Sequence, residues 1–240
     1  MLSLPTLPVN LQANLEAVDE RITKAARAAG RDPSSVRLLA VSKTFPATVL
    51  AQAVRAGQRA FGENYVQEAL VKMDELVNSA REPGLEWHFI GPIQSNKTRL
   101  IAERFDWVQS VDRLRIAERL AEQRPEDLPP INVLLQVNVS GEASKGGVAP
   151  DQLGELATAV VALPRLRLRG LMAIPAPEAD VAKQRVGLAH MKKLFERLRG
   201  DGLAIDELSM GMSDDLEAAV AEGSTMVRIG TAIFGLRTPP

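Results

Sequence analysis

Cysteine is missing from all 240 residues. That removes disulfides, thiolate metal sites and cysteine nucleophiles together. Histidine is almost missing: the two present, His88 and His190, are too distant in sequence to suggest an imidazole metal site. Neither sign of charge is in excess, with 29 basic against 30 acidic residues and a formal net charge of −1. No basic surplus exists to drive non-specific nucleic-acid binding. Long apolar runs are absent too. None approaches the roughly 20 residues that span a bilayer, and the opening MLSLPTLPVN lacks the basic region and apolar core of a signal peptide. The expectation is a cytoplasmic chain that engages neither nucleic acid nor membrane.

What is present is a large apolar fraction, 45%, normal for a chain with a sizeable core. A (β/α)8 barrel takes about 250 residues, so one domain can occupy residues 1–240. Two domains of about 120 residues each are the competing division. Short runs rich in β-branched and apolar residues alternate with longer stretches of helical periodicity. That alternation signals parallel strands joined by crossover helices. The strand runs are 36–43, 58–62, 86–91, 106–111, 131–139, 167–174, 207–211 and 226–235. Helical patterns cover 10–30, 46–57, 63–80, 94–104, 112–123, 150–162, 178–199 and 213–222. Eight strands fit a closed barrel better than an open doubly wound sheet, which usually has five or six. No Pro- or Ser-rich linker divides the chain; RPEDLPP (124–130) and PAPEA (175–179) are loop-length punctuation.

Barrel chemistry collects at the C-terminal ends of the strands, so the residues there carry the functional signal. Lys43 closes the apolar run VRLLAVSK. At a barrel mouth its stem can pack on apolar neighbours while the amine reaches a carbonyl ligand; the alternative is a solvated strand-end lysine. FGENY (61–65) is another strand end entering a helix. It offers Asn64, counted with the ligand contacts, and Tyr65, the single tyrosine; their other role is capping and packing. Near the C-terminus, SMGMSDD (209–215) and VRIGT (227–231) follow the seventh and eighth strands, where barrels often hold phosphate. Ser209, Ser213, Gly230 and Thr231 supply hydroxyls and close backbone approach. Ser213 serves equally well as a helix N-cap, with Asp214 and Asp215 in the first turn. Arg228 lies between apolar residues inside a strand, where burial demands a partner.

GPIQSNKT (91–98) nearly matches a phosphate-binding loop but fails at two points. Asn96 stands where the second glycine belongs, and Pro92 removes an amide donor. Its Gln94, Ser95 and Asn96 are instead expected to face the mouth. NVSGEASKGG (138–147) carries Lys145 among small residues, either near the same mouth or simply solvated. Trp87, Trp107, Phe89 and Phe105 read as packing residues.

AVSKTFP (40–46), FGENYVQEA (61–69), WHFIGPIQSNK (87–97), SGEASKGG (140–147), GLMAI (170–174), LSMGMSDDLEAA (208–219) and STMVRIGTAIFG (224–235) together resemble the pyridoxal phosphate homeostasis protein family. The match runs in order from about residue 10 to residue 237. The resemblance implies a barrel like the alanine racemase N-terminal domain and pyridoxal 5′-phosphate (PLP) as cofactor. It implies a Schiff base on Lys43, phosphate contacts from Ser209, Ser213, Gly230 and Thr231, and Arg228 facing the pyridine nitrogen. An arginine there keeps that nitrogen unprotonated and weakens PLP as an electron sink. Intracellular vitamin B6 homeostasis, PLP carriage to apo-enzyme acceptors with Lys145 assisting transfer, no defined turnover and a monomeric state are the expectations. An amino-acid racemase is the alternative, disfavoured because the chain ends with the barrel and supplies no second-base tyrosine from a further domain. A barrel enzyme for phosphorylated metabolites would keep the phosphate cradle and give Lys43 another role.

Overall fold

The computed structural model describes residues 10–80, 84–140, 146–175, 178 and 180–236. Helix α1 (Leu11–Ala28) opens on Asn10, whose side chain accepts from the Ala13 amide, and buries Leu11, Leu15, Val18, Ile22, Ala25 and Ala26 along one stripe. The 3.6-residue spacing of these positions is what makes the helix amphipathic. The chain then alternates through β1 (Arg37–Val41), α2 (Ala47–Arg55), β2 (Ala60–Glu63), α3 (Val66–Ala80), β3 (Glu86–Phe89), α4 (Thr98–Arg104), β4 (Trp107–Val111) and α5 (Leu114–Gln123). It continues through β5 (Ile131–Gln136), α6 (Leu153–Val161), β6 (Leu166–Met172), α7 (Val181–Gly200), β7 (Glu207–Ser209), α8 (Leu216–Ala221), β8 (Met226–Ile229) and α9 (Thr231–Phe234). The strands pair in sequence order, all parallel, and β8 closes onto β1. The expected (β/α)8 barrel is therefore the fold. Among the described residues no helix is long and apolar enough to cross a membrane.

Two boundaries differ from the sequence expectation in ways that matter for the site. The run 36–43 stops being a strand at Val41, so Lys43 lies in the turn beyond it. The run 226–235 divides: β8 ends at Ile229 and the chain turns into α9, whose Ile233 and Phe234 are buried. A short apolar run does not distinguish strand from helix by its pattern alone; packing decides, and here Phe234 sits 5.0 Å from the ring of Phe45.

Side chains alternate across the sheet, so each strand feeds two different interiors. The outward set joins the helices in one large apolar core. The inward set is mixed. Leu39, Val41, Ile90 and Met226 form one apolar cluster and Trp107, Leu134 and Met172 another. At the N-terminal ends of the strands the lumen is ionic: Arg37 meets Glu86 at 2.5 Å and Glu207 at 3.4 Å, and Arg169 meets Asp206 at 2.6 Å. Both guanidiniums also lie over Trp107, at 5.7 and 4.9 Å from its ring centre. These side chains fill the lumen at that end.

Candidate functional site

Lys43 is half-buried and flanked by two residues with fixed backbones. Ser42 donates its amide to the Gly62 carbonyl at 3.0 Å and its hydroxyl to Glu63 Oε1 at 2.6 Å. Thr44 adopts a left-handed φ of 70° and donates its amide to Glu68 Oε1 at 2.5 Å. Lys72 from α3 ties these together. Its Nζ donates to the Ser42 carbonyl at 2.8 Å, Glu63 Oε1 at 2.7 Å and Glu68 Oε1 at 2.5 Å. Burial pushes the Glu63 carboxyl above its usual range, with Lys72 and Ser42 opposing the rise. An ordinarily unfavourable conformation at Thr44 thus persists because a buried ionic network holds it, and that network sets the course of the chain through Lys43. Sequence reasoning missed this network. The available signals were an acidic residue closing the strand AFGE and the Glu68–Lys72 spacing of four on α3.

The strand register brings the other candidates to Lys43. Leu39 pairs with Arg228 and Ala40 with Ile229, while Val41 pairs with Gly62. Adjacent strands lie about 4.8 Å apart, so the turn carrying Lys43 leaves the barrel between Gly230–Thr231 on one side and Asn64 on the other. Asn64 is half-buried, and its Oδ1 is buried with no hydrogen-bond partner. Gly91 approaches it closely: a Cβ there would lie 2.3 Å from the Asn64 carbonyl oxygen. Tyr65, beside it, is exposed. Gly230 is buried and precedes α9, and Thr231 is exposed at its start. The first amides of a helix have no intrahelical acceptor. The Asn14 side chain donates to the Ile233 carbonyl at 2.8 Å, holding this short turn against α1.

Ser213 lies half-buried in the turn before α8. The expected N-cap at Ser213, with Asp214 and Asp215 in the first turn, is corrected: α8 begins at Leu216 and Asp215 occupies the cap position. Asp215 Oδ1 accepts from the Met212 amide at 2.6 Å, which closes the turn upstream of the helix instead. Gly211 makes this turn possible, with φ at 97° and only 2.5 Å from its missing Cβ to that of Ala219. Its carbonyl accepts from the Arg228 amide at 2.9 Å, joining the turn to β8.

Arg228 points into the lumen near the mouth and is almost fully buried. Its Nη2 donates to the Ala173 carbonyl and its Nη1 to Ser209 Oγ, both at 2.7 Å. No carboxylate lies within ion-pair distance of it among the described residues, and burial lowers its pKa to about 10, with Asp215 opposing. Ser209 departs from the expectation that groups it with the phosphate contacts. It is fully buried, and its hydroxyl accepts from Arg228 while donating to Gln109 Oε1 at 2.7 Å. A hydroxyl has one hydrogen, so Ser209 supports Arg228 and has no proton left for an anion. Lys145 lies outside the described residues; the neighbouring Gly146 carbonyl accepts from Gln136 Nε2 at 3.0 Å, at the end of β5.

The near-miss phosphate loop is structural. Thr98 is fully buried and donates to the Ser95 carbonyl at 2.9 Å. Trp87 packs on Phe61 and Phe89 on Phe105. Among the described residues no cluster of His, Asp or Glu has the makings of a metal site. Among the described residues, what the mouth offers is a half-buried amine, a buried guanidinium lacking a counter-ion, an unpaired amide oxygen, and hydroxyls with backbone amides where two strands exit. Such a site suits a small ligand with an anionic group at one end and a carbonyl at the other.

Comparison with known proteins shows the family and the fold. The sequence pattern of the family described as "Alanine racemase, N-terminal domain" matches residues 13–238. The chain is 62% identical over 224 residues to the pyridoxal phosphate homeostasis protein of Pseudomonas aeruginosa, covering 93% of this chain and 94% of that one. It is 58% identical to the protein of the same name from Escherichia coli, covering 93% and 95%. Among solved structures, PipY of Synechococcus elongatus with PLP bound superposes with a TM-score of 0.82 at 37% identity, covering 94% of this chain and all of that one. An alanine racemase of Clostridium difficile, 16% identical, shares the fold at a TM-score of 0.75 over 61% of its own length.

Proposed function

Because this chain belongs to the pyridoxal phosphate homeostasis protein family, built on the alanine racemase N-terminal barrel, we propose that it binds PLP at the mouth between β1 and β8. Lys43 holds the cofactor as a Schiff base. The chain serves intracellular vitamin B6 homeostasis by keeping PLP and passing it to PLP-dependent apo-enzymes. The observation that carries this reading is Arg228, a buried guanidinium bonded to Ser209 and Ala173 with no carboxylate partner among the described residues, one strand away from Lys43. An anionic ligand with a ring acceptor supplies what the site lacks.

The residues fit the group. Thr231, Gly230 and Ser213 would hold the phosphate, Lys43 the aldehyde, and Arg228 the pyridine nitrogen. Asn64 Oδ1, buried and unpaired, is available to a donor on the ligand. When bound, PLP would supply an aldehyde with which Lys43 Nζ could condense, releasing water. Arg228 would donate to the ring nitrogen and keep its own proton, because a guanidinium at about 10 still far exceeds the basicity of a pyridine. The nitrogen would then stay neutral, which suits retention better than carbanion chemistry.

Incubation of the purified chain with PLP, followed by removal of the excess, is expected to leave a visible band that borohydride bleaches. A chain that returns colourless overturns the reading. Thr231→Ala is expected to retain the band but weaken binding by about 1.5–3 kcal/mol, the contribution of one hydrogen bond to a charged group. Unchanged affinity removes Thr231 from the cradle. Assays with L-alanine and other amino acids, followed by circular dichroism, are expected to detect no robust turnover. A rate above about 1 per second, ordinary for enzymes, converts the proposal from carrier to racemase.

A further inference from the structure

A line of buried hydrogen bonds runs up the barrel lumen from the ionic plug to Arg228. His88, fully buried on β3 and stacked on Trp107 at 5.1 Å, places Nε2 2.7 Å from Glu86 Oε1. Its Nδ1 lies 2.9 Å from Gln109 Nε2. Gln109 Oε1 accepts from Ser209 Oγ at 2.7 Å, and Ser209 Oγ accepts from Arg228 Nη1 at 2.7 Å. Three strands contribute between the ends of this line, β3, β4 and β7, and β8 supplies Arg228.

Chemistry at the two ends dictates the direction of every link. Arginine only donates, so Ser209 accepts from it and spends its single hydrogen on Gln109. That sets the Gln109 amide with oxygen toward Ser209 and nitrogen toward His88; the same nitrogen also donates to Met226 Sδ at 3.2 Å. An amide nitrogen only donates, so His88 Nδ1 accepts and its proton sits on Nε2, directed at Glu86. Glu86 is suited to receive it. Burial would raise this carboxyl, but His88 and Arg37 outweigh it and hold it at about 2. Burial likewise keeps His88 below its ordinary range, opposed by Glu86 and Asp106, with Arg37 reinforcing. A charged His88 would carry a proton on Nδ1 and force Gln109 to turn over. Ser209 would then face two donors, Gln109 and Arg228, and its own hydrogen would lose its acceptor.

We propose that Gln109 and His88 are positioning residues for the cofactor ring, acting through Ser209 to hold Arg228 in the single orientation that presents a hydrogen to the pyridine nitrogen. This rests on the PLP reading above. Neither residue reaches the ligand. Their effect passes along a chain of hydrogen bonds whose polarity runs from the Arg228 donor to the Glu86 carboxylate.

The test uses the full chain, free and loaded with PLP. In the free protein, nitrogen NMR of the imidazoles is expected to find His88 neutral at pH 7 with its proton on Nε2, His190→Gln supplying the assignment. A charged His88, or a proton on Nδ1, overturns the proposal without reference to PLP. In the loaded protein, Gln109→Met is expected to keep borohydride-reducible attachment at Lys43 while shifting the visible band and weakening PLP binding about fivefold, the scale of one neutral hydrogen bond. Ser209→Ala is expected to give the same shift and Ser209→Thr to restore the parent band. The double variant Ser209→Ala/Gln109→Met should match either single, because one line is cut once or twice. Folded variants with parental band and affinity, or additive effects in the double, overturn the proposal. A parent chain that takes up no PLP overturns the functional reading and this inference with it, so the two failures are distinct.

Discussion

Lys43→Ala protein, incubated with PLP and freed of the excess, is expected to show no aldimine band and, after borohydride, to carry no pyridoxyl group. Peptide mass spectrometry of the parent should find the label on the peptide containing Lys43. The geometry that motivates this is local and specific: the amine leaves the barrel between the ends of β8 and β2, from a turn held on both sides by hydrogen bonds to Glu63 and Glu68. The variant should not be blind to the ligand. Arg228, Gly230, Thr231 and Ser213 are untouched, and each charge-assisted hydrogen bond to a phosphate is worth about 1.5–3 kcal/mol. Weak, reversible PLP binding therefore survives, detectable by equilibrium dialysis. Label found mainly on Lys97 or Lys145 in the parent overturns the assignment of the anchor.

Lys72→Met is expected to produce the largest loss of stability among single changes around the site. Lys72 is almost fully buried and its ammonium serves three oxygens. Removing it strands Glu63, whose Oε2 already has no partner. Breaking a buried pair by deleting one partner costs about 3–5 kcal/mol, or a fall in Tm of about 6–20 °C for a domain of this size. The loss should depend on pH with a definite sign. Burial raises the Glu63 carboxyl in the folded parent, with Lys72 opposing; without Lys72 the rise is greater. A carboxyl raised on folding contributes its stability fully below the unfolded value of about 4.3 and loses it as pH climbs through the raised folded value. The variant should therefore trail the parent least near pH 4 and most at neutral pH. Glu63→Gln/Lys72→Met should recover much of the difference, since no buried charge remains. A deficit equal at all pH values, or a double variant no better than the single, refutes the buried-charge explanation. Because the same network holds Thr44 in its left-handed conformation, Lys72→Met should also weaken PLP uptake at Lys43.

A good part of the barrel was legible without coordinates. Strands buried on both faces read as continuous apolar runs, and helices as 3.6-residue stripes, so the alternation and the count of eight could be taken from the residues alone. Lys43 and Arg228 stood out for the same reason, as charges placed where the pattern calls for apolar side chains. Element ends were less legible. Ile233 and Phe234 satisfy a strand pattern as well as a helical one, and only their packing on Phe45 and the outer core separates the two. Ser209 reads as a cradle residue in the sequence because a serine near a strand end looks alike whether it meets a ligand or a neighbour.

The order of the elements, the parallel sheet and the two cations of the mouth were determined by sequence, because each follows from the local alternation of apolar and polar residues. Which cation meets which group was decided by closure of the barrel. Closure sets β8 against β1 and so places Arg228 beside the strand that ends at Lys43. It also brings Ser209 to Gln109 across 100 positions of chain, and Lys72 under the turn at Ser42 across 30. Hydrogen-bond direction in the lumen belongs to this second category altogether. It is imposed by a donor at one end and a carboxylate at the other, and no stretch of sequence contains both.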